Sequence, residues 1–241
     1  MKAVEALLAL NEVTGSQWGM VTTAQAAQRG VSRLALSRLC DVGHLERVAH
    51  GVYRAASVPS GRFDNLKATW LSIQPKETAE ERLRRRSEDA VVSGATASYL
   101  LGMGDLLPEP YEFTVATRRQ TQRPELTFRV AQLAPDRVTL REGLPVTTPE
   151  QTIADLVESR IDRSLVADVL AEAGTIDRQK LSDLLDRLAA RNGFKSGEVL
   201  LTELEKLARQ DPESQAKAIA ASALAPRVVE EFQRRTLNRR Y

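Results

Sequence analysis

VTTAQAAQRGVSRLALSRLCDVGHLERVAHGVYRA, residues 21–55, contains two helical patterns, a tight turn at Gly30 and two short strand patterns. Thr22 or Thr23 can cap a short first helix, because a threonine hydroxyl accepts from the free amides of the first turn. Gly30 supplies a left-handed turn at little steric cost. Ser32 can cap a second helix, whose inward-facing residues recur at helical spacing: Leu36, Leu39 and Cys40.

A hairpin pattern follows this second helix. Gly43 closes the helix, and apolar residues then flank a turn at 49–51. The order helix, turn, helix and hairpin is that of a winged helix-turn-helix. In that fold the second helix enters the major groove of DNA, and the hairpin, or wing, contacts the backbone.

Polar and basic residues occupy the positions that such a fold turns towards DNA. The arginines can donate paired hydrogen bonds to guanine or phosphate, and the serines can bind either. The alternative is an ordinary solvated helix surface. The predicted DNA-binding residues are Ser32, Arg33, Ser37 and Arg38 on the helix, with Arg47, His50 and Arg54 on the wing.

Composition excludes several classes of protein. One cysteine permits no internal disulfide, and two histidines cannot supply a cysteine–histidine metal cluster, so no metal or other cofactor is expected. Apolar runs are too short to span a membrane, and the N-terminus is typical of an amphipathic helix rather than a signal peptide, which favours the cytoplasm. The chain has 34 basic and 32 acidic residues, and residues 1–60 hold the whole excess of two.

The whole chain is predicted to be helix-rich α+β, with its best domain boundary at the turn-forming residues 57–61. We therefore expect a winged helix over 1–60 and a second domain over 62–241, with a small sheet at about 111–146 and helices over 149–241. A first helix is expected to face inward through Leu7, Leu8, Leu10 and Val13. Beyond the winged helix we expect helices Phe63–Ile73, Glu77–Glu88 and Ser93–Gly102, and then strands Tyr111–Ala116, Leu126–Ala131, Val138–Arg141 and Leu144–Val146. The later helices are predicted from three apolar stripes: Ile153, Leu156 and Val157; Leu181, Leu184, Leu185 and Leu188; and Val199, Leu200, Leu204 and Leu207.

Two arginine-rich stretches allow two interpretations each. The first, among many glutamates, fits a charged solvated helix or a second basic patch that tracks phosphates. The second fits a helix end that favours cations or an interaction surface. They comprise Arg82, Arg84, Arg85 and Arg86, and then Arg227, Arg234, Arg235, Arg239 and Arg240.

The end of the winged helix and two later blocks carry a family resemblance. They are GHLERVAHGVYRAAS at 43–57, VVSGATASYLLGMGDLLP at 91–108 and GLPVTTPEQTIADLV at 143–157. With these blocks the chain resembles the AbiEi-type antitoxins of type IV toxin–antitoxin systems. Their motifs are patterns of small and apolar residues and contain no catalytic signature.

The resemblance implies a bacterial protein with two activities. The winged helix would bind inverted repeats of double-stranded DNA in its own promoter and repress the operon. The second domain would counteract a nucleotidyltransferase-type toxin encoded beside it, without a stable complex. Basic residues of that domain are a hypothesis for the antitoxin activity: Arg84, Arg85, Arg118 and Arg119.

Other classes of function remain as alternatives. A nuclease-like second domain would need acidic residues and a Glu-x-Lys on adjacent strands, and no lysine in the chain has a glutamate two positions before it. Neither His44 nor His50 has a nucleophile pattern nearby, so we expect no enzyme. A plain transcription regulator with a ligand-binding or dimerisation domain is the second interpretation.

Overall fold

The computed structural model of the protein describes residues 2–210. The arginines from Arg227 to Arg240 therefore lie outside the described residues. The amino end contains the three predicted helices and the predicted hairpin, together with one further strand. The first elements are α1 (Ala3–Ser16), β1 (Met20–Thr22), α2 (Thr23–Gln28), α3 (Arg33–Asp41), β2 (Leu45–Ala49) and β3 (Val52–Ala55).

Capping residues fix the two central helices. The Thr22 hydroxyl accepts from Gln25 N at 3.0 Å, which satisfies one free amide at the start of α2. Gly30 has φ +75° and turns the chain between α2 and α3. The Ser32 hydroxyl accepts from Ala35 N at 3.2 Å and starts α3. All three predicted roles are confirmed.

Three strands and three helices bury one apolar core. The sheet has the order β1-β3-β2 and is antiparallel throughout. The sequence did not predict β1, which pairs Val21 with Tyr53. Leu8 is exposed, so its predicted inward position is wrong, and Ala6 is buried instead. The core comprises Ala6, Leu10, Val13, Val21, Ala26, Val31, Leu36, Leu39 and Leu45.

The middle of the chain forms a mixed five-stranded sheet with three helices. The strand order is β6-β5-β4-β8-β7, with β4 central, parallel to β8 and antiparallel to β5. The sequence did not predict β4, and the helix predicted over 77–88 is shorter. The elements are α4 (Asp64–Ile73), α5 (Ala79–Leu83), β4 (Val91–Val92), α6 (Gly94–Leu101), β5 (Tyr111–Val115), β6 (Leu126–Val130), β7 (Val138–Arg141) and β8 (Leu144–Thr147).

Four helices follow the sheet. Pro149 is the first residue of α7, as predicted, and the stripe Ile153, Leu156 and Val157 is buried. Val199 is exposed, so its predicted place in the last stripe is wrong. None of the described helices is both long and apolar enough to cross a membrane. The helices are α7 (Pro149–Glu158), α8 (Arg163–Glu172), α9 (Arg178–Ala189) and α10 (Gly197–Gln210).

The chain divides into two compact units. The first holds the chain up to Leu100 together with Pro108–Thr148, and the second holds Leu101–Leu107 and the helices that begin at Pro149. The winged helix and the five-stranded sheet thus lie in one unit. Within it, Gln25 Nε2 donates to Glu77 O at 2.7 Å. The predicted domain boundary near residue 60 stays a prediction.

Candidate nucleic-acid interface

One side of α3 is polar and exposed. Leu36 and Leu39 anchor the opposite side in the core. Arg33, Ser37 and Arg38 therefore face solvent, as predicted, and so does Ser32 at the cap. Leu34 lies among these residues and is 60% exposed, although a leucine in a helix normally indicates a core position.

The arginines of this surface have no acidic partner within residues 2–210. Among the described residues, none forms an ion pair with Arg33, Arg38 or Arg47. An arginine has five N–H donors in a fixed fork, which suits phosphate oxygens or guanine edges. The surface thus presents unpaired cations to an anionic ligand.

The wing is positioned by the start of α2. Thr23 N donates to Gly51 O at 2.8 Å, and the Thr23 hydroxyl donates to the same oxygen at 3.2 Å. Gly51 has φ +70°, a conformation that favours glycine at the hairpin tip. Beside it, Arg47 Nη2 lies 3.4 Å from His50 Nδ1, and both side chains are exposed. Two predicted wing residues are therefore close together and accessible.

Arg54 differs from the other predicted residues. Its side chain is only 9% exposed, and its guanidinium binds Glu46 at 2.6 Å and Asp64 at 2.5 Å. Both terminal nitrogens are engaged by carboxylates, so they are unavailable to DNA. The prediction that Arg54 contacts DNA is therefore corrected, because its ion pairs instead join β3 to β2 and α4.

A cleft of about 490 Å³ lies between α3 and the wing. Arg33, Arg47 and His50 all line it. Arg123 enters the same cleft from the loop between β5 and β6, far along the chain. No periodicity or local motif marked Arg123, because only the tertiary fold places it beside the wing. The remaining lining residues are Thr23, Ala24, Ala27, Gly51, Tyr53, Ser72 and Pro75.

Cys40 is a packing residue of α3. It lies half-buried against the core of the winged helix. Burial, followed by the nearby Asp41 carboxylate, raises the pKa of its thiol above the ordinary value of 9.0. A thiol with a raised pKa is a poor nucleophile, which agrees with the structural role predicted for Cys40.

Three arginines of the first arginine-rich stretch form ion pairs within the protein. Arg82 is fully buried, donates to Asp89 and lies 3.4 Å above the Trp70 ring, so neither predicted interpretation holds for it. Arg84 pairs with Glu80, and Arg85 pairs with Glu77. Those contacts favour the charged-surface interpretation for this pair.

The other hypothetical antitoxin arginines lie in the β5–β6 loop. Arg119 Nη1 donates to Ile73 O at 3.2 Å, at the end of α4. Arg118 is exposed.

Comparisons with known proteins match both parts of the chain. Residues 9–56 match the family described as "transcriptional regulator, AbiEi antitoxin", and residues 90–203 match the "AbiEi antitoxin C-terminal domain". No curated protein is significantly similar to the chain.

Among solved structures, the fold is similar to the RV2827C protein from Mycobacterium tuberculosis, with a TM-score of 0.50 at 14% identity. That alignment covers 88% of this chain and 79% of the other, and it supports the fold alone. The two family matches together cover about two thirds of the sequence and agree in name with the resemblance of its motifs. The chain belongs to the AbiEi antitoxin family.

Proposed function

We propose that the protein binds its own operator DNA through α3 and the wing and represses its promoter. Arg33, Ser37 and Arg38 would contact base edges and phosphates in the major groove, with Arg47 and His50 on the adjacent backbone. The observation that carries this proposal is the exposed polar side of α3, whose arginines have no acidic partner among the described residues.

A binding assay with the upstream promoter tests the DNA-binding proposal. Arg33→Ala combined with Arg38→Ala should remove specific binding, because two charge-assisted contacts are lost, and should lower the salt dependence of the residual binding. A matched control, Arg141→Ala combined with Arg187→Ala, removes the same charge from exposed positions outside the cleft. Equal affinity of both double variants would refute the assignment of α3.

We also propose that the protein counteracts a nucleotidyltransferase-type toxin encoded beside it. The match of residues 90–203 to the antitoxin C-terminal domain supports this role. No catalytic step is assigned to the protein, and its action on an operator would place it in the cytoplasm. Arg118 is the first residue to test for antitoxin activity, because it is exposed while Arg84 and Arg85 are paired.

Co-expression with the neighbouring toxin separates the two activities. The full chain is the right reagent, since a cut at residue 62 would remove the partners of Asp64 and Glu77. We expect the Arg33→Ala, Arg38→Ala chain to lose repression of a promoter reporter and still restore growth. Failure of the wild-type chain to restore growth would favour a plain regulator with a ligand-binding or dimerisation domain.

A further inference from the structure

Basic residues from three separate segments line the cleft beside the wing, and three of them are arginines. Arg33 comes from α3, Arg47 and His50 come from the wing, and Arg123 comes from the β5–β6 loop. None of the described residues that line the cleft is acidic. Clustered cations repel one another unless an anion lies between them, and a cleft with low-dielectric walls strengthens the field at that point.

Arg123 is held in place before any ligand arrives. Its Nη1 donates to the Ser72 hydroxyl at 2.6 Å, and its Nε donates to Glu125 Oε1 at 2.7 Å. The described contacts therefore leave the donors on Nη2 for a ligand. Arg119 Nη1, bound to Ile73 O, attaches the same loop to the end of α4. A guanidinium fixed in this way loses little side-chain entropy when it binds.

We propose that this cleft holds a phosphodiester of the operator backbone and that Arg123 is one of its ligands. The inference rests on the proposed function, and it extends the DNA interface beyond the winged helix to the β5–β6 loop. A phosphate fits better than a base edge, because Arg123 lies beside the wing, which contacts backbone in this fold.

Glu125 sets the strength of this contact. Its side chain is 42% exposed and pairs with Arg123, whose hydrogen bond lowers the pKa of Glu125. The carboxylate therefore stays charged and repels a phosphate that approaches Arg123. Removal of the Glu125 charge should raise DNA affinity, whereas removal of Arg123 should lower it. The two variants therefore test the proposal in opposite directions.

The experiment measures affinity for the operator and for an unrelated duplex of equal length across a series of salt concentrations. Arg123→Gln should lower the affinity for both duplexes by a similar factor, roughly threefold to tenfold, and reduce the salt slope by about one. Glu125→Gln should raise the affinity for both duplexes. Arg141→Gln, which removes an exposed arginine outside the cleft, should leave affinity and slope unchanged.

Each outcome separates the two proposals. If the wild-type chain does not bind the operator, the proposed function fails. If Arg33→Ala weakens binding while Arg123→Gln and Glu125→Gln match the wild type, only the cleft assignment is overturned. Saturable binding of inorganic phosphate or a nucleotide that needs Arg123, with DNA binding unchanged, would instead assign the cleft to a free phosphorylated molecule.

Thermal unfolding of every variant checks its fold. If the Arg123→Gln protein has a lower melting temperature than the wild type, Arg123→Lys and Glu125→Gln decide the assignment, because both keep a side chain of similar length. Arg123→Lys should retain the wild-type salt slope, since a lysine also neutralises one phosphate. Failure of Glu125→Gln to strengthen DNA binding would then overturn the proposal.

Discussion

Asp89 binds the Nε–Nη2 edge of the Arg82 guanidinium, and both side chains are completely buried. Nε and Nη2 of Arg82 donate to the carboxylate, at 3.1 and 2.6 Å from Oδ1, while Nη1 donates to Trp70 O at 2.6 Å. The Asp89 carboxylate also accepts from Ala90 N at 2.5 Å. The pair thus joins α4 and α5 to the start of β4.

Asp89→Asn should destabilise the protein by about 3–5 kcal/mol, because it leaves the buried Arg82 charge without its partner. Urea unfolding at pH 7 measures this change. Glu88→Gln is the matched control, since Glu88 is adjacent and exposed, and its cost should stay within about 0.5 kcal/mol. Equal costs for the two variants would contradict the assigned role of the pair.

The sequence alone does not identify this buried pair. Arg82, Arg84 and Arg85 are the same residue type in one acidic surrounding, yet only Arg82 is buried. Its burial depends on Trp70 and Asp89, which the tertiary fold brings to it. Periodicity describes one element at a time and cannot identify such partners.

The winged helix was easier to predict because its signals are local. A capping hydroxyl and a left-handed glycine act within four residues of the helix that they define. By contrast, β1 has three residues and β4 has two, which is too short for an alternating pattern. Both exist through pairing with distant strands, and Arg123 joins the cleft through the same long-range packing.

Arg54 and Arg47 should respond oppositely to substitution although both lie in the wing. Arg54→Met should cost about 1.5–3 kcal/mol in unfolding free energy, because it removes charge-assisted hydrogen bonds to Glu46 and Asp64. Arg47→Ala should leave stability within about 0.5 kcal/mol, because the side chain is exposed and forms no ion pair with any described residue.

The proposed DNA contact of Arg47 adds a second measurement. Arg47→Ala should reduce the salt slope of DNA binding by about one, for one lost phosphate contact. Chemical unfolding and binding titrations of both variants provide the comparison. An Arg54→Met protein of wild-type stability with a reduced salt slope would restore Arg54 to the proposed interface.

Leu34 should contribute to sequence specificity. It is 60% exposed on the side of α3 that carries Arg33 and Arg38, where an apolar side chain can contact a thymine methyl group. Leu34→Ala should weaken operator binding by about fivefold and leave binding to an unrelated duplex unchanged. Melting curves should not shift, because little of Leu34 is buried. Equal losses on both duplexes would show that it reads no base.

Glu112 should make stability depend on pH in the acid range. Its carboxylate accepts from Ala95 N at 3.3 Å near the start of α6, but burial is the larger influence and raises its pKa above the ordinary value of 4.5. A raised pKa in the folded state means that the folded protein holds this proton more tightly than the unfolded chain does. The resulting stabilisation is complete below the ordinary pKa and is lost as pH rises through the raised value.

Glu112→Gln isolates this contribution, because its amide oxygen can still accept from Ala95 N and the side chain cannot ionise. Relative to this variant, the wild-type protein should lose unfolding free energy as pH rises from 4.5 through the raised pKa. Urea unfolding of both proteins at several pH values measures the difference. A constant difference between wild type and Glu112→Gln across this range would mean that Glu112 has the same pKa in the folded and unfolded chains.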